Sequence, residues 1–119
     1  MILKEILKSK IHGAIITKTD LNYNGSIGID RALLAASGIS AGDKVQVLNF
    51  NNGERLETYV IEEKKGSGKV ILYGPAAKRG KAGDRISILS YVLVDDEGSK
   101  KVKQKTVSVD RRNGIIKSD

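Results

Sequence analysis

The stretch Lys44-Val45-Gln46-Val47-Leu48-Asn49-Phe50, then Asn51-Asn52-Gly53, then Glu54-Arg55-Leu56-Glu57-Thr58-Tyr59-Val60-Ile61-Glu62 reads as a β-hairpin. Alternation puts Val45, Val47 and Asn49 on one face of the first strand. Asn52-Gly53 is a strong tight-turn signal, because glycine takes positive φ with no Cβ to clash. Working outward, every apolar run is short and ends at a turn residue. Ile11–Thr17 is a β-branched strand, and Ser26–Asp30 is a short extended piece. Asp30 can cap a helix over Arg31–Ser37, with Gly38 at the C′ position, and Ser40–Asp43 reads as a turn. Gly66-Ser67-Gly68 is another turn, Lys69–Tyr73 a strand, and Gly83-Asp84 precedes the strand Arg85–Val94. Short, evenly punctuated strands with one or two short helices predict an all-β chain, mainly a small closed β barrel. Beyond Asp95 the sequence turns polar. Lys100–Val109 is expected to add an edge strand, and Asp110–Asp119 to form a loose tail. There is no internal repeat and no linker of domain-boundary type.

A chain of 119 residues favours one domain. Hydrophobic residues make up 39% and aromatics 4%, with no Trp, so the core must be built from Ile, Val, Leu and Ala. A small core of this kind covers its apolar surface poorly alone, which points to burial against sister subunits. The absence of cysteine excludes a disulfide framework, a thiolate metal site and a cysteine nucleophile. The one histidine, His12, excludes a multi-histidine zinc centre, and no metal site is expected. The net charge of +7 is spread as +2 over residues 1–24, +3 over 25–94 and +2 over 95–119. A nucleic-acid binder concentrates its charge on one face or tail, whereas diffuse positive charge suits a small anionic substrate. No apolar run reaches membrane-spanning length, and Met1–Lys10 carries charges where a signal peptide is apolar. The expectation is a cytoplasmic protein without a membrane or nucleic-acid partner.

Single motifs say little. Tyr23-Asn24-Gly25-Ser26 is ordinary turn chemistry, and its match to a glycosylation sequon means little without a secretory signal. Arg55 and Lys10 taken singly are surface cations, Tyr59 a core aromatic, His12 a structural histidine and Gly74-Pro75 a turn pair. One geometric constraint is independent of function. In a regular strand Arg55, Glu57 and Tyr59 share a face and Thr58 points the other way. Arg55 and Tyr59 can therefore address one ligand, and Thr58 joins them only if the strand is bulged or twisted, or if the pocket lies at an edge reached from both sides.

The order of these elements is more specific than any of them. Lys10-Ile11-His12-Gly13-Ala14, Thr17, Asp20-Leu21, Tyr23, Gly25-Ser26 and Ile29-Asp30 are followed by Asn52-Gly53-Glu54-Arg55, Thr58-Tyr59, Gly74-Pro75-Ala76-Ala77 and Gly83-Asp84. This set, collinear over about residues 1–95, resembles the aspartate 1-decarboxylases, pyruvoyl-dependent enzymes that make β-alanine for pantothenate and coenzyme A. The resemblance implies a six-stranded double-psi β barrel over residues 1–95, with 96–119 as an extension, and a homotetramer with active sites between subunits. It implies self-cleavage between Gly25 and Ser26, in which the Ser26 hydroxyl attacks the Gly25 carbonyl. The resulting ester is eliminated, and loss of ammonia leaves a pyruvoyl group at the new terminus. That group, derived from Ser26, would form a Schiff base with L-aspartate and accept electrons on loss of carbon dioxide.

By the same resemblance Thr58 would stabilise the oxyanion of self-processing and Tyr59 would protonate Cα. Lys10 and Arg55 would bind the substrate carboxylates, with Gly74, Pro75 and Ala76 as the backbone stretch at the substrate. His12 and Tyr23 would support the site. A maturation factor is a further partner to be considered. The chain departs from the family pattern at Tyr73, where many relatives have Asn, at Pro75 for Ala, and at Gly13 for Arg. An alternative reading comes from Ser26–Phe50, which also resembles the swapped-hairpin fold of AbrB-type DNA-binding regulators. A noncatalytic barrel relative is the third.

Overall fold

The central hairpin forms as read. In a computed structural model describing all 119 residues, strand β4 (Lys44–Asn49) pairs antiparallel with β5 (Arg55–Glu63). Gly53 closes the turn at φ 73°, and the Asn52 side chain accepts from the Glu54 N–H at 2.9 Å. The other elements, in chain order, are β1 (Lys4–Ile15), β2 (Lys18–Asp20), β3 (Ser26–Asp30), helix α1 (Arg31–Ser37), β6 (Val70–Tyr73), a 3-10 turn (Gly74–Lys78), β7 (Arg85–Val94), helix α2 (Asp96–Ser99), β8 (Lys105–Val109) and β9 (Ile115–Ser118). The strands are ordered β2-β6-β3-β5-β4-β7-β1-β8-β9. The β1–β8, β2–β6 and β3–β5 pairs are parallel and the rest antiparallel. Seven strands, β1 to β7, lie within the first 95 residues, β2 with only three residues; the C-terminal β8 and β9 bring the total to nine.

The inward faces close over one aliphatic core. Ile11, Ile27, Ile29, Val45, Val47, Val60, Val70, Leu72, Ile86 and Ile88 are each at most 1% exposed. No aromatic side chain belongs to this core. Phe50, Tyr23, Tyr59 and Tyr91 are exposed, so the few rings of the sequence are spent on the surface.

The helix forms where its caps are. The Asp30 carboxylate accepts from the Ala32 N–H at 2.8 Å, and Gly38, at φ 77°, returns its N–H to the Leu34 carbonyl. Asp30 also accepts from the Gly66 and Gly68 N–H groups at 2.9 and 2.8 Å, tying the helix start to the β5–β6 turn. Burial pushes its carboxyl pKa up, but these backbone N–H donors outweigh it, and the net shift is downward.

Two expectations are corrected. β1 begins at Lys4, not Ile11, because its first residues pair with Val92–Val94 of β7 as a solvated ribbon with no apolar face to betray it. Residues 110–119 are not a loose tail. β8 pairs parallel with β1 and buries Val107, while β9 runs back along β8 and takes the edge expected of the 100–109 segment. The fixing residue is Asn113, 3% exposed. Its amide accepts from the Ile15 N–H at 2.7 Å and donates to the Ile15 and Gly68 carbonyls at 2.9 and 2.8 Å.

Candidate active site

The site grows from a gap in the sheet. β5 is flanked by β4 along Arg55–Tyr59, but β3 joins its other side only from Val60 onward. The first half of β5 therefore has a free edge, and the 3-10 turn Gly74–Lys78 lies across it. Between them is a cavity of about 750 Å³ lined by Gly25, Gln46, Arg55, Leu56, Glu57, Thr58, Tyr59, Pro75, Ala76 and Arg79. The β4–β5 register runs without a slip, so no bulge turns Thr58 around. Thr58 meets Arg55 and Tyr59 because an edge strand offers both faces to one cavity.

Gly25 reaches this cavity because the backbone of the next segment presses against it. Gly74, at φ 64°, lies so close that a Cβ there would fall 2.7 Å from the Gly25 nitrogen and the Tyr23 carbonyl oxygen. Only glycine fits. Pro75 closes over Gly25 from the same turn, its Cδ 3.3 Å from where a Gly25 Cβ would be. Ser26, which opens β3, is fully buried beside the cavity, and its hydroxyl donates to the Asn24 carbonyl at 3.1 Å. The nucleophile expected from the sequence is thus held against the backbone just upstream of the Gly25–Ser26 peptide bond.

Tyr23 and Tyr73 pack ring against ring, centroids 4.7 Å apart, with the Tyr73 hydroxyl donating to Glu63 at 2.8 Å. Burial, then this bond, raises the Tyr73 pKa to about 12, so it remains a donor at any ordinary pH. Tyr73 pairs with Ser26 across β6 and β3, so the residue beside Ser26 is a ring committed to Glu63.

Lys10 and His12 do not line the cavity. They lie on β1, in cross-sheet rows that run Lys10, Leu89, Gln46, Glu57 and His12, Ser87, Leu48, Arg55. Both rows lie on the outward face, so the cavity and the β1 residues share a surface but are separated by β7 and β4. His12 sits in its own cluster: Arg85 Nη2 is 3.1 Å from Nε2, and Ser87 Oγ is 3.2 Å from Nδ1. Arginine can only donate, so Nε2 is the acceptor and the proton rests on Nδ1. Burial, Arg85 and Lys10 all lower the His12 pKa, so the ring is neutral at pH 7. The Arg85 guanidinium also passes within 3.4 Å of where a Gly13 Cβ would stand and lies over the Phe50 ring at 4.9 Å. The Arg85 guanidinium thus occupies the space that a side chain at position 13 would enter.

The cavity contains three polar residues that were not site candidates in the sequence, Gln46, Glu57 and Arg79. Gln46 is held by the Tyr91 hydroxyl at 3.0 Å, and Arg79 is paired with Glu54 at 2.8 Å. The signal for Arg79 was its place at the end of the Gly74–Lys78 turn, which looked like any basic surface pair until that turn was seen to wall the cavity.

A model of the aspartate decarboxylase family matches residues 2–116, nearly the whole chain. The chain belongs to this family. It is 50% identical over 115 residues to the aspartate 1-decarboxylase of Caldicellulosiruptor saccharolyticus, covering 97% of this chain and 90% of the relative. Similarity to the aspartate 1-decarboxylase of Thermoanaerobacter pseudethanolicus is 49% over 108 residues, 91% of this chain and 92% of the other. To that of Bacteroides fragilis it is 46% over 114 residues, 95% of this chain and 97% of the other. The family match continues past Asp95 to residue 116, in keeping with the structural role of Val107 and Asn113. No helix of the chain is long and apolar enough to cross a membrane.

Proposed function

We propose that this chain decarboxylates L-aspartate to β-alanine and carbon dioxide, feeding pantothenate and coenzyme A synthesis in the cytoplasm, after cutting itself between Gly25 and Ser26. The observation that carries the reading is the convergence of Gly25, Thr58, Tyr59 and Arg55 on one cavity, with the Ser26 hydroxyl buried behind it. A cavity of this size suits a small ligand.

In self-processing, Ser26 Oγ bonds to the Gly25 carbonyl carbon and the C–N bond breaks, giving an ester with a free amine on residue 26. Elimination takes the Cα proton and breaks the Cβ–O bond, releasing the Gly25 carboxylate. Water then replaces the nitrogen at Cα, and ammonia leaves. Thr58 faces the same space as Gly25 and can donate to the oxyanion of the first step. A pyruvoyl group at residue 26 supplies a carbonyl that takes up the electrons freed by decarboxylation.

The other roles belong to side chains of the cavity. Arg55 makes no ion pair within the chain, so its planar fork is free for a carboxylate. Tyr59, on the same strand face two turns of the pleat away, is the donor that returns a proton to the substrate's α-carbon. Gly74 keeps the backbone of residues 74–76 close to the substrate, and Tyr23 packs beside it. Lys10 and His12 complete the site from a neighbouring subunit of a homotetramer. Their separation from the cavity by two strands within one chain supports that arrangement, as do the exposed Ile2, Leu3, Leu93 and Ile116. A maturation factor, as a further partner, would act on the self-cleavage.

Tyr59→Phe is expected to mature to two fragments but to lower kcat by about 100-fold, the usual weight of a positioned proton donor. Denaturing mass spectrometry measures the first effect and β-alanine release the second. Unchanged turnover would remove Tyr59 from the donor role.

A further inference from the structure

The cavity holds a second guanidinium, and its setting is built rather than incidental. The Arg79 backbone is anchored by its carbonyl, which accepts from Asn49 Nδ2 at 3.3 Å and from Asn52 Nδ2 at 3.0 Å. Asn49 is itself 4% exposed and bonded to the buried Asp84 at 2.9 Å, so this anchor is part of the barrel interior. The Arg79 side chain is then oriented by one bond, from Nη1 to Glu54 at 2.8 Å. A guanidinium has further N–H groups beyond the pair that faces one carboxylate oxygen. With Nη1 on Glu54, the other guanidinium N–H groups have no partner within the chain, and Arg79 lines the same cavity as Arg55.

The nearby anions leave Arg55 unpaired and engage Arg79 through one nitrogen only. Glu54 is used in positioning Arg79, and Glu57, the one carboxylate lining the cavity, is drawn 3.5 Å from Lys44. A ligand with a single carboxylate needs one such fork; a dicarboxylate can use two. We propose that Arg79, positioned by Glu54, is a further carboxylate-binding arm on the same chain as Arg55, acting beside the Lys10 of a neighbouring subunit to select a substrate with a carboxylate at each end. The proposal rests on the decarboxylase reading for the identity of the substrate, but the binding of a dicarboxylate does not require turnover.

The test uses the purified full-length protein as it matures, with succinate and propionate as probes of two and one carboxylate. In Arg79→Ala the succinate Kd is expected to rise about tenfold, the order of one charge-assisted pair, with propionate binding little changed. Arg79→Lys should recover part of the loss, since a lysine keeps the charge without the fork. Glu54→Gln should weaken succinate less than Arg79→Ala, by releasing the orientation and not the charge. In the decarboxylation assay the same Arg79→Ala change should raise KM for L-aspartate and leave kcat within about twofold. Thermal melts and the mass of the two fragments report whether the variants fold and mature as the parent does. Equal succinate binding by Arg79→Ala and parent overturns the proposal, as does an equal loss of succinate and propionate. If the parent neither cleaves nor releases β-alanine, the decarboxylase reading fails by itself, and the succinate comparison still decides the role of Arg79.

Discussion

Ser26→Ala folds, stays one chain of 119 residues and releases no β-alanine. The substitution keeps the Cβ and the strand. β3 is held by β5 on one side and β6 on the other, and Ile27 and Ile29 still enter the core. What is lost in stability is one hydroxyl bond to the Asn24 carbonyl, about 1 kcal/mol. What is lost in chemistry is everything. Without Oγ the Gly25 carbonyl has no neighbouring nucleophile, the peptide bond survives, and no ketone is made. No other electrophile is at hand in a chain without cysteine or a recognisable cofactor motif. Intact mass and β-alanine release, measured on the same preparation, check both halves. A Ser26→Ala protein that decarboxylates aspartate would sink the proposed function, and one found cut at residue 25 would sink the self-cleavage alone.

The largest effect on stability is expected at Asp30. Its carboxylate satisfies three backbone N–H groups, of Ala32, Gly66 and Gly68, from a position 3% exposed. Asp30→Ala removes a helix N-cap and leaves two turn amides without a partner. The combined cost is about 3 kcal/mol, and a domain of this length should melt about 10 °C lower. Asp30→Asn keeps an acceptor oxygen and should lose less.

The acid response separates the two effects. Because the native pKa of Asp30 is depressed, its stabilisation is in full force above its unfolded pKa of about 4 and fades as the pH falls through the lower native value. Asp30→Asn should therefore differ most from the parent at neutral pH and converge on it in strong acid. Melts recorded from neutrality down to that range give the comparison. An Asp30→Ala protein melting with the parent would show that the three bonds are replaced by water at no cost.

Much of the barrel was legible because its signals are local. The Asn52-Gly53 turn, the Asp30 and Gly38 caps and the Val45–Val47–Asn49 alternation each depend on neighbours within a few residues, and each stands where the sequence put it. The N-terminal half of β1 was missed because Lys4–Lys8 has no buried face to impose a period. Of the C-terminal strands, β8 was expected but only as an edge, and β9 was missed, for a different reason. Val107 and Val109 become core only by lying beside β1, nearly a hundred residues earlier, and Asn113 looks like a turn residue until Ile15 is found against it.

The candidate site divides along the same line. Residue identities and their order were enough for family membership, and alternation alone set Thr58 opposite Arg55 and Tyr59. Whether those opposed side chains could meet depended on where β3 stops pairing with β5, a property of two strands separated by a helix and a hairpin. The Gly74–Lys78 turn made a surface-looking Arg79 a wall of the cavity, while β4 and β7, lying between β5 and β1, kept Lys10 and His12 out of it. Side-chain chemistry and short-range conformational preference are written residue by residue. A cavity exists only between elements, and its membership is decided when long-range contacts close the sheet.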